Sequence, residues 1–131
     1  FGAVVVKDGK VIATAHNEVL SSNDPTAHAE IQAIRKASEL LETFDLSACE
    51  IYSTCEPCPM CYSAIHWARL PKLYYAASRK DASLSGFDDD ELYDILSGKT
   101  QKEQVEKIKM KDQKAIDLFI FWDNKRDKQH Y

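Results

Sequence analysis

Two apolar, β-branched runs stand at the start of the chain. They are FGAVVV at 1–6 and VIATA at 11–15, and the residues that join them at 7–10 are KDGK. An Asp-Gly pair between two such runs favours a tight turn. The pattern therefore predicts an antiparallel hairpin, followed by a polar loop over 17–24.

A helical pattern comes after this loop. Apolar side chains recur three or four positions apart and predict an amphipathic helix over 26–42. We expect Asp24 to cap this helix and Pro25 to stand in its first turn. The recurring apolar residues are Ile31, Ile34, Ala37 and Leu41.

The middle of the chain predicts a strand, a helix and a second strand. CEIYST at 49–54 and LYYAA at 73–77 are typical of strands. A helical pattern over 60–70 lies between them and ends before Pro71. A strand–helix–strand unit of this length implies two parallel strands joined by a right-handed crossover.

The second half of the chain has a weaker pattern. Residues 83–90 (SLSGFDDD) are typical of a loop and residues 91–96 of a short helix. Residues 105–110 fit a last strand or a charged helix, and we expect the strand. A final helix is predicted over 113–127. Its centre at 118–122 (LFIFW) is apolar on every face, so this helix needs burial on more than one side, as a second subunit would provide.

Composition narrows the class of protein. The 131 residues suit one compact domain over 1–131, and the 44% hydrophobic and 29% charged fractions are ordinary for a globular chain. No apolar run approaches the roughly 18 residues of a membrane-spanning helix. The net charge of −4 argues against nucleic acid as the main partner. A domain of this size folds without disulfides, so closely spaced cysteines favour metal binding or catalysis in a cytoplasmic protein.

The strongest chemical signal pairs TAHAE with PCPMC. His28 lies in the first turn of one predicted helix, and Cys58 and Cys61 open another. One imidazole and two thiolates suit one Zn²⁺ ion and leave its fourth position open for a water molecule that ionises near neutral pH. Glu30, two residues after the histidine, is placed to take a proton from this water and deliver it to a substrate nitrogen.

Cys55 keeps a second interpretation open. Together with His28 and both C-x-x-C cysteines it could build a closed Cys₃His site that holds the fold and has no catalytic role. However, Cys55 comes before the predicted helix start, and Glu30 would then have no function. We therefore expect Cys55 not to bind zinc, and we expect Cys49 to be a buried apolar position.

The two motifs resemble those of a known superfamily. DPTAHAE at 24–30 and CEPCPMC at 55–61 are similar to the cytidine deaminase superfamily of zinc nucleobase deaminases. The resemblance is strongest to its bacterial guanine deaminase branch and covers nearly the whole chain. Four stretches carry this narrower resemblance, at 22–30, 65–72, 75–93 and 123–131.

This resemblance implies a fold and a reaction. The fold is a three-layer α/β/α sandwich with a mixed sheet of about five strands. The reaction is the hydrolytic deamination of guanine to xanthine and ammonia, in which a zinc-bound hydroxide attacks C2 of guanine. Glu30 would shuttle the protons, and Asp89 would act as a second acid near the leaving amine.

The resemblance also implies residues that bind the substrate. Asn17 matches a side-chain amide that hydrogen-bonds the purine, and His28 and Ala29 border the same site. Phe1 and Trp67 match aromatic positions that line the purine pocket.

The carboxyl-terminal segment has its own implied role. In the family, the segment that corresponds to about 112–131 crosses to the other subunit of a homodimer, and Tyr131 matches a tyrosine that helps to close the partner's site. The family also has a helix before the first strand, and this sequence starts after the corresponding point.

Two rival functions use the same zinc chemistry. A tRNA adenosine deaminase would need a basic surface, which residues 107–114 and 125–128 could supply. The net negative charge and the acidic FDDD segment argue against it. A guanosine or other aminopurine deaminase is the second rival, because the sequence does not determine the size of the substrate pocket.

Overall fold

The structure, a computed structural model, describes residues 1–87, 89–100 and 105–130. Within these residues, no helix is both long and apolar enough to cross a membrane. The elements follow in the order β1 (Gly2–Lys7), β2 (Lys10–His16), α1 (Val19–Ser22), α2 (Ala29–Leu41), β3 (Cys49–Cys55), α3 (Pro59–Trp67), β4 (Leu73–Ala77), α4 (Arg79–Leu84), α5 (Asp89–Leu96) and α6 (Gln113–Asn124).

A mixed four-stranded sheet forms the centre of the fold, in the order β2-β1-β3-β4. β1 pairs antiparallel with β2 and β3, while β3 and β4 are parallel, which confirms the predicted hairpin and the βαβ unit. The hairpin turn has positive φ at Asp8 (50°) and Gly9 (73°), the conformation that an Asp-Gly pair adopts most readily.

The prediction of a fifth strand over 105–110 is wrong. This segment forms neither strand nor helix, and all six of its residues are exposed. A segment with strand-forming residues becomes a strand only where it can pair with a neighbour and bury one face, and residues 105–110 bury none.

Helices α2 and α3 cover one face of the sheet. Val5 of β1 and Ile51 of β3 point to this face and are fully buried. On the opposite face Tyr52 and Tyr74 stack across two strands, with ring centroids 4.4 Å apart, and they are 38% and 43% exposed. The α/β architecture is confirmed, but the described residues of one chain complete only two of the three predicted layers.

Small side chains allow α2 to lie close to the sheet. Ala29, Ala33 and Ala37 share one face of the helix and are fully buried in the core. The Glu18 N–H donates to the Ala27 carbonyl (2.9 Å), which ties the segment before α2 to the end of β2. The start of α2 therefore lies at the sheet edge where β1 begins and the other three strands end.

The start of α2 differs from the prediction. Ala29 is its first residue, and His28 occupies the N-cap position. Asp24 is not the cap, because its Oδ1 accepts hydrogen bonds from the backbone N–H (2.8 Å) and hydroxyl (2.7 Å) of Thr26 in a local turn. The predicted loop over 17–24 contains α1, a single turn of helix that is too short to produce a periodic pattern.

The second half contains one helix that the pattern missed. α4 starts with a capping box, in which Ser78 and Asp81 each bond the backbone N–H of the other. α5 begins at Asp89, two residues before its predicted start, and α6 is the predicted final helix, ending at Asn124. None of the residues of α6 is buried. Its exposed apolar side chains are Ile116, Leu118, Phe119, Ile120 and Phe121.

We expect Ala33→Leu to lower the free energy of unfolding by about 1–3 kcal/mol, because a leucine does not fit between α2 and the strands without displacing them. Glu39→Leu is the matched control, since it places the same side chain on an exposed position of α2, with an expected change within about 0.5 kcal/mol. Urea denaturation at an unchanged m-value measures both. Equal stabilities of the two variants would contradict the close packing.

Candidate metal centre and active site

Two helix starts carry the three candidate metal ligands. His28 is the N-cap of α2, and Cys58 is the N-cap of α3, both with extended backbone. Cys61 lies in the first turn of α3. Neither N-cap side chain caps its own helix; the three side chains converge on one another and form the group that we call the metal cluster.

The spacing of the metal cluster fits zinc. The Nδ1 atom of His28 lies 3.6 Å from Cys58 Sγ and 3.5 Å from Cys61 Sγ, and the three ligand atoms are all within 4.8 Å of one another. A tetrahedral zinc with bonds of about 2.0–2.1 Å to nitrogen and about 2.3 Å to sulfur separates such ligands by about 3.6 Å. Among the described residues, this is the one group of three or more His, Cys, Asp or Glu side chains that could hold a metal ion.

The electrostatics of the metal cluster favour a cation. The pKa of the Cys58 thiol is lowered, because its sulfur accepts a hydrogen bond from the Cys61 thiol and also bonds to the His28 imidazole. The same sulfur pairing, burial and the nearby carboxylate of Glu30 raise the pKa of Cys61. One negative charge is therefore already stabilised among the ligands, and a divalent cation favours the second thiolate.

Cys55 stands apart from the metal cluster. It ends β3, and its thiol donates to the carbonyl of Ser78 at 3.7 Å. It is not among the residues whose ligand atoms converge, so the described geometry supports three protein ligands and an open fourth position instead of a closed Cys₃His site. Cys49 is 1% exposed, as expected of a buried apolar position, and burial raises the pKa of its thiol.

Glu30 lies in the first turn of α2, beside the metal cluster. It is only 6% exposed, and the hydroxyl of Ser53 donates to its Oε1 at 3.0 Å. Sequence reasoning missed Ser53. A signal was present, because a serine occupies a position of β3 whose neighbours on the same face, Ile51 and Cys55, are buried and apolar.

A pocket of about 570 Å³ opens over the metal cluster. The topology explains its walls, because the start of β1, the segment after β2, the start of α2 and the segment after β3 all meet at one edge of the sheet. α4 and the segment after it close the remaining side. The lining residues are Phe1, Asn17, Val19, Leu20, His28, Ala29, Glu30, Cys55, Glu56, Cys58, Ala82 and Phe87.

Asn17 presents a defined donor to this pocket. Its Oδ1 accepts a hydrogen bond from the backbone N–H of Val19 at 3.2 Å. Because a backbone N–H can only donate, this bond fixes which end of the amide is the oxygen. The NH₂ group has no hydrogen-bond partner among the described residues and is the end left for a ligand.

The structure separates the two aromatic residues that were expected in the pocket. Phe1 lines it and contacts the ring of Phe87 edge-on, with centroids 4.9 Å apart. Trp67 does not line it, because Trp67 ends α3 whereas Cys61 lies in the first turn, about 9 Å further along the helix axis. Trp67 is 65% exposed and borders two surface grooves instead.

The second half of the chain is bonded to the short segment between β3 and α3, which precedes Cys58 of the metal cluster. The Tyr93 hydroxyl of α5 donates to the carbonyl of Pro57, and the backbone N–H of Arg79 in α4 donates to the carboxylate of Glu56 at 3.0 Å. The guanidinium of Arg79 also lies 4.5 Å from the centre of the Tyr93 ring. Sequence reasoning assigned no role to these residues, because no local pattern relates positions this far apart.

One expected site residue is only partly described by the structure, and another is not described at all. The backbone of Asp89 begins α5, two residues after Phe87 of the pocket wall, but its side chain lies outside the described part of the chain. Tyr131 also lies outside the described residues. The roles expected of both remain predictions.

The fold and the metal cluster define a zinc-dependent deaminase. A family model described as the cytidine and deoxycytidylate deaminase zinc-binding region matches residues 1–77, which include His28, Glu30, Cys58 and Cys61. The chain belongs to this family. Within it, the chain is 44% identical over 131 residues to the guanine deaminase of Bacillus subtilis, which is 100% of this chain and 84% of that protein.

A solved structure and two further relatives agree with the assignment to this family. The X-ray structure of the Bacillus subtilis guanine deaminase matches with a TM-score of 0.92 at 43% identity, covering 99% of this chain and 83% of the other. A tRNA-specific adenosine deaminase from Agrobacterium fabrum is 51% identical over 76 residues, 58% of this chain and 50% of that protein. Another from Buchnera aphidicola is 36% identical over 125 residues, 95% of this chain and 81% of that protein.

We expect Cys55→Ser to retain about one zinc ion per chain and Cys58→Ser to lose most of it, because only the second change removes a ligand of the metal cluster. The two variants make the same atomic substitution three residues apart and control for each other. Zinc is measured by mass spectrometry of the purified, dialysed proteins. Loss of zinc from Cys55→Ser would restore the closed Cys₃His interpretation.

Proposed function

We propose that this protein catalyses the hydrolytic deamination of guanine, in which guanine and water give xanthine and ammonia. The observation that carries the proposal is the metal cluster with buried Glu30 beside it, at the base of a pocket large enough for a purine. Support also comes from similarity over the full chain to a guanine deaminase. A cytoplasmic location remains a prediction.

The residues of the site have separate tasks in this reaction. Zinc held by His28, Cys58 and Cys61 would supply a Lewis acid that lowers the pKa of a water molecule in the pocket. Glu30 accepts the proton that this water loses and transfers it to the ring nitrogen next to C2. It then carries the proton of the hydroxyl group added at C2 to the amine, which leaves as ammonia while the C2 carbonyl of xanthine forms. Acid–base catalysis of this kind contributes about 10²–10⁴ in rate. Asp89 is proposed as a second acid near the amine.

Hydrogen-bond donors in the pocket favour guanine. The NH₂ group of Asn17 donates to an acceptor of the purine. Ala29 is the first residue of α2, where backbone N–H groups have no partner within the helix, so it offers a second donor. Guanine carries an O6 acceptor where adenine carries an amino donor. Phe1 contacts the purine face, and the His28 imidazole forms part of the adjacent wall.

A tRNA adenosine deaminase is the second candidate. It is favoured by the 51% identity to the Agrobacterium protein over 76 residues. The identity to the guanine deaminase extends over all 131 residues, and the net charge of −4 is unfavourable for binding a polyanion. Guanine is therefore the preferred substrate.

We expect Glu30→Gln to lower kcat for ammonia release from guanine by about 10²–10⁴, because glutamine cannot carry a proton between water and purine. Zinc content should remain near that of the wild type, since Glu30 is not a ligand. Glu39→Gln makes the same substitution on an exposed position of the same helix and should leave kcat unchanged. Ammonia release is followed by a coupled spectrophotometric assay.

Substrate comparison decides between the candidates. The same assay is run with guanine, guanosine, cytosine and adenosine-containing tRNA. Turnover of guanine far above the others supports the proposal, whereas turnover of tRNA or guanosine alone would replace it with the corresponding rival. A zinc-loaded protein that releases ammonia from none of these would contradict the enzymatic function.

The unpacked α6 supports a homodimer with exchanged carboxyl-terminal segments. Its apolar side chains are exposed in the single chain, and such a surface requires a partner to bury it. Leu118, Phe119 and Trp122 border a groove together with Trp67, and this apolar groove supports the packing of a second chain at this face. We infer that segment 112–131 packs on the partner and that Tyr131 closes the partner's pocket.

Subunit mixing tests this exchange. We expect Tyr131→Ala to lower kcat/KM for guanine, because the pocket is less completely closed. When Tyr131→Ala and Glu30→Gln chains are co-expressed, each mixed dimer has one site with both an intact Glu30 and an intact donated Tyr131. Activity should then recover to about a quarter of wild type in a random mixture of two-fold dimers.

The control for mixing is the pair Glu30→Gln and Cys58→Ser. Both changes belong to the same site within one chain, so a mixed dimer of these variants has no intact site and no recovery is expected. Tyr131→Ala with wild-type turnover, or mixed dimers without recovery, would contradict the exchange and leave the zinc chemistry unaffected.

A further inference from the structure

Glu30 and Ser53 form a buried polar pair next to the metal cluster. Among the described residues they are the two buried polar or charged side chains, at 6% and 8% exposure, and they bond to each other at 3.0 Å. Burying a carboxylate and a hydroxyl is unfavourable unless they are paired. Ser53 stands on the core face of β3, where an apolar side chain would otherwise pack at no such cost.

The hydroxyl of Ser53 has a defined direction. The backbone N–H of Cys55 donates to Ser53 Oγ at 3.5 Å, so the oxygen accepts from its own strand while its proton points to Glu30 Oε1. This strand is the centre of the sheet, paired with β1 on one side and β4 on the other. The donor is thus attached to the most constrained part of the backbone near the site.

Glu30 needs such support. Its side chain has several rotatable bonds, and acid–base catalysis requires its carboxylate to remain within hydrogen-bond reach of the reacting atoms. Ser53 does not line the pocket, whereas Glu30 does. Ser53 bonds one carboxylate oxygen of Glu30, Oε1, from the protein side.

We propose that Ser53 is a positioning residue of the deaminase reaction, which holds Oε1 of Glu30 so that Oε2 exchanges protons with water and purine. The inference rests on the proposed function for its reaction. It implies that removing the hydroxyl changes the chemical step more than it changes substrate binding, because the contacts to the purine come from other residues.

The variants Ser53→Ala and Ser53→Thr test this role, with rates expressed per bound zinc. We expect Ser53→Ala to lower kcat by about 10- to 100-fold, the effect of losing one hydrogen bond to a charged group, with KM within about threefold. Ser53→Thr restores the hydroxyl and should recover most of kcat. Ser63→Ala is the matched control and should leave kcat unchanged. It removes a serine hydroxyl whose one hydrogen bond among the described residues is to the Pro59 carbonyl, at 2.8 Å.

A double-mutant cycle provides a measurement that does not depend on the substrate. The shifts in the urea unfolding midpoint caused by Ser53→Ala and Glu30→Gln should be less than additive in the double variant, because both remove the same bond. Additive shifts would overturn the inference even if guanine were not the substrate. Failure of the wild type to deaminate guanine, with non-additive shifts intact, would contradict the proposed function alone.

Three kinetic results would also overturn the inference. The first is a Ser53→Ala enzyme whose kcat per zinc is within twofold of the wild type. The second is a folded, zinc-loaded Ser53→Thr enzyme that is no more active than Ser53→Ala. The third is a further loss of kcat when Ser53→Ala is added to Glu30→Gln, which would show that Ser53 acts independently of the carboxylate.

Discussion

The close packing of α2 on the sheet is the constraint on which the site depends. A helix with large side chains at positions 29, 33 and 37 would stand further from the strands, and its first turn would move away from the end of β3. Alanine at all three positions brings the helix start to the sheet edge. α3 begins at the same edge. His28 and Glu30 therefore lie opposite Cys58 and Cys61, although the two pairs are about thirty residues apart in the chain.

The three cysteines of residues 53–61 (STCEPCPMC) differ in role because they belong to different secondary-structure elements. Cys55 still belongs to a strand, where the alternation of side chains and the sheet geometry direct it to the Ser78 carbonyl. Cys58 and Cys61 belong to the N-cap and first turn of a helix, where thiolates are stabilised by the helix dipole and unpaired N–H groups. The change from strand to helix between them creates a three-ligand cluster with an open position.

The first and second halves of the chain differ in how much of their apolar surface is buried. The first half supplies a buried core, the metal cluster and Glu30. The second half adds a wall to the pocket and is attached through Tyr93 and Arg79 to the loop before α3. α6 has no buried residue and exposes most of its apolar side chains, so this surface stays unburied in the single chain.

The sequence by itself determined the local elements and the chemical class. Periodicity and turn chemistry were sufficient for the hairpin, the βαβ unit and the main helices. The two motifs contain all three candidate zinc ligands and Glu30, because each motif consists of residues close together in the chain. Only the tertiary structure decided that Ser53 bonds Glu30, that Trp67 lies away from the pocket and that 105–110 is not a strand. Each of these depends on which faces meet after packing, and a strand pattern such as that of 105–110 becomes a strand only where a neighbour and a core are available to it.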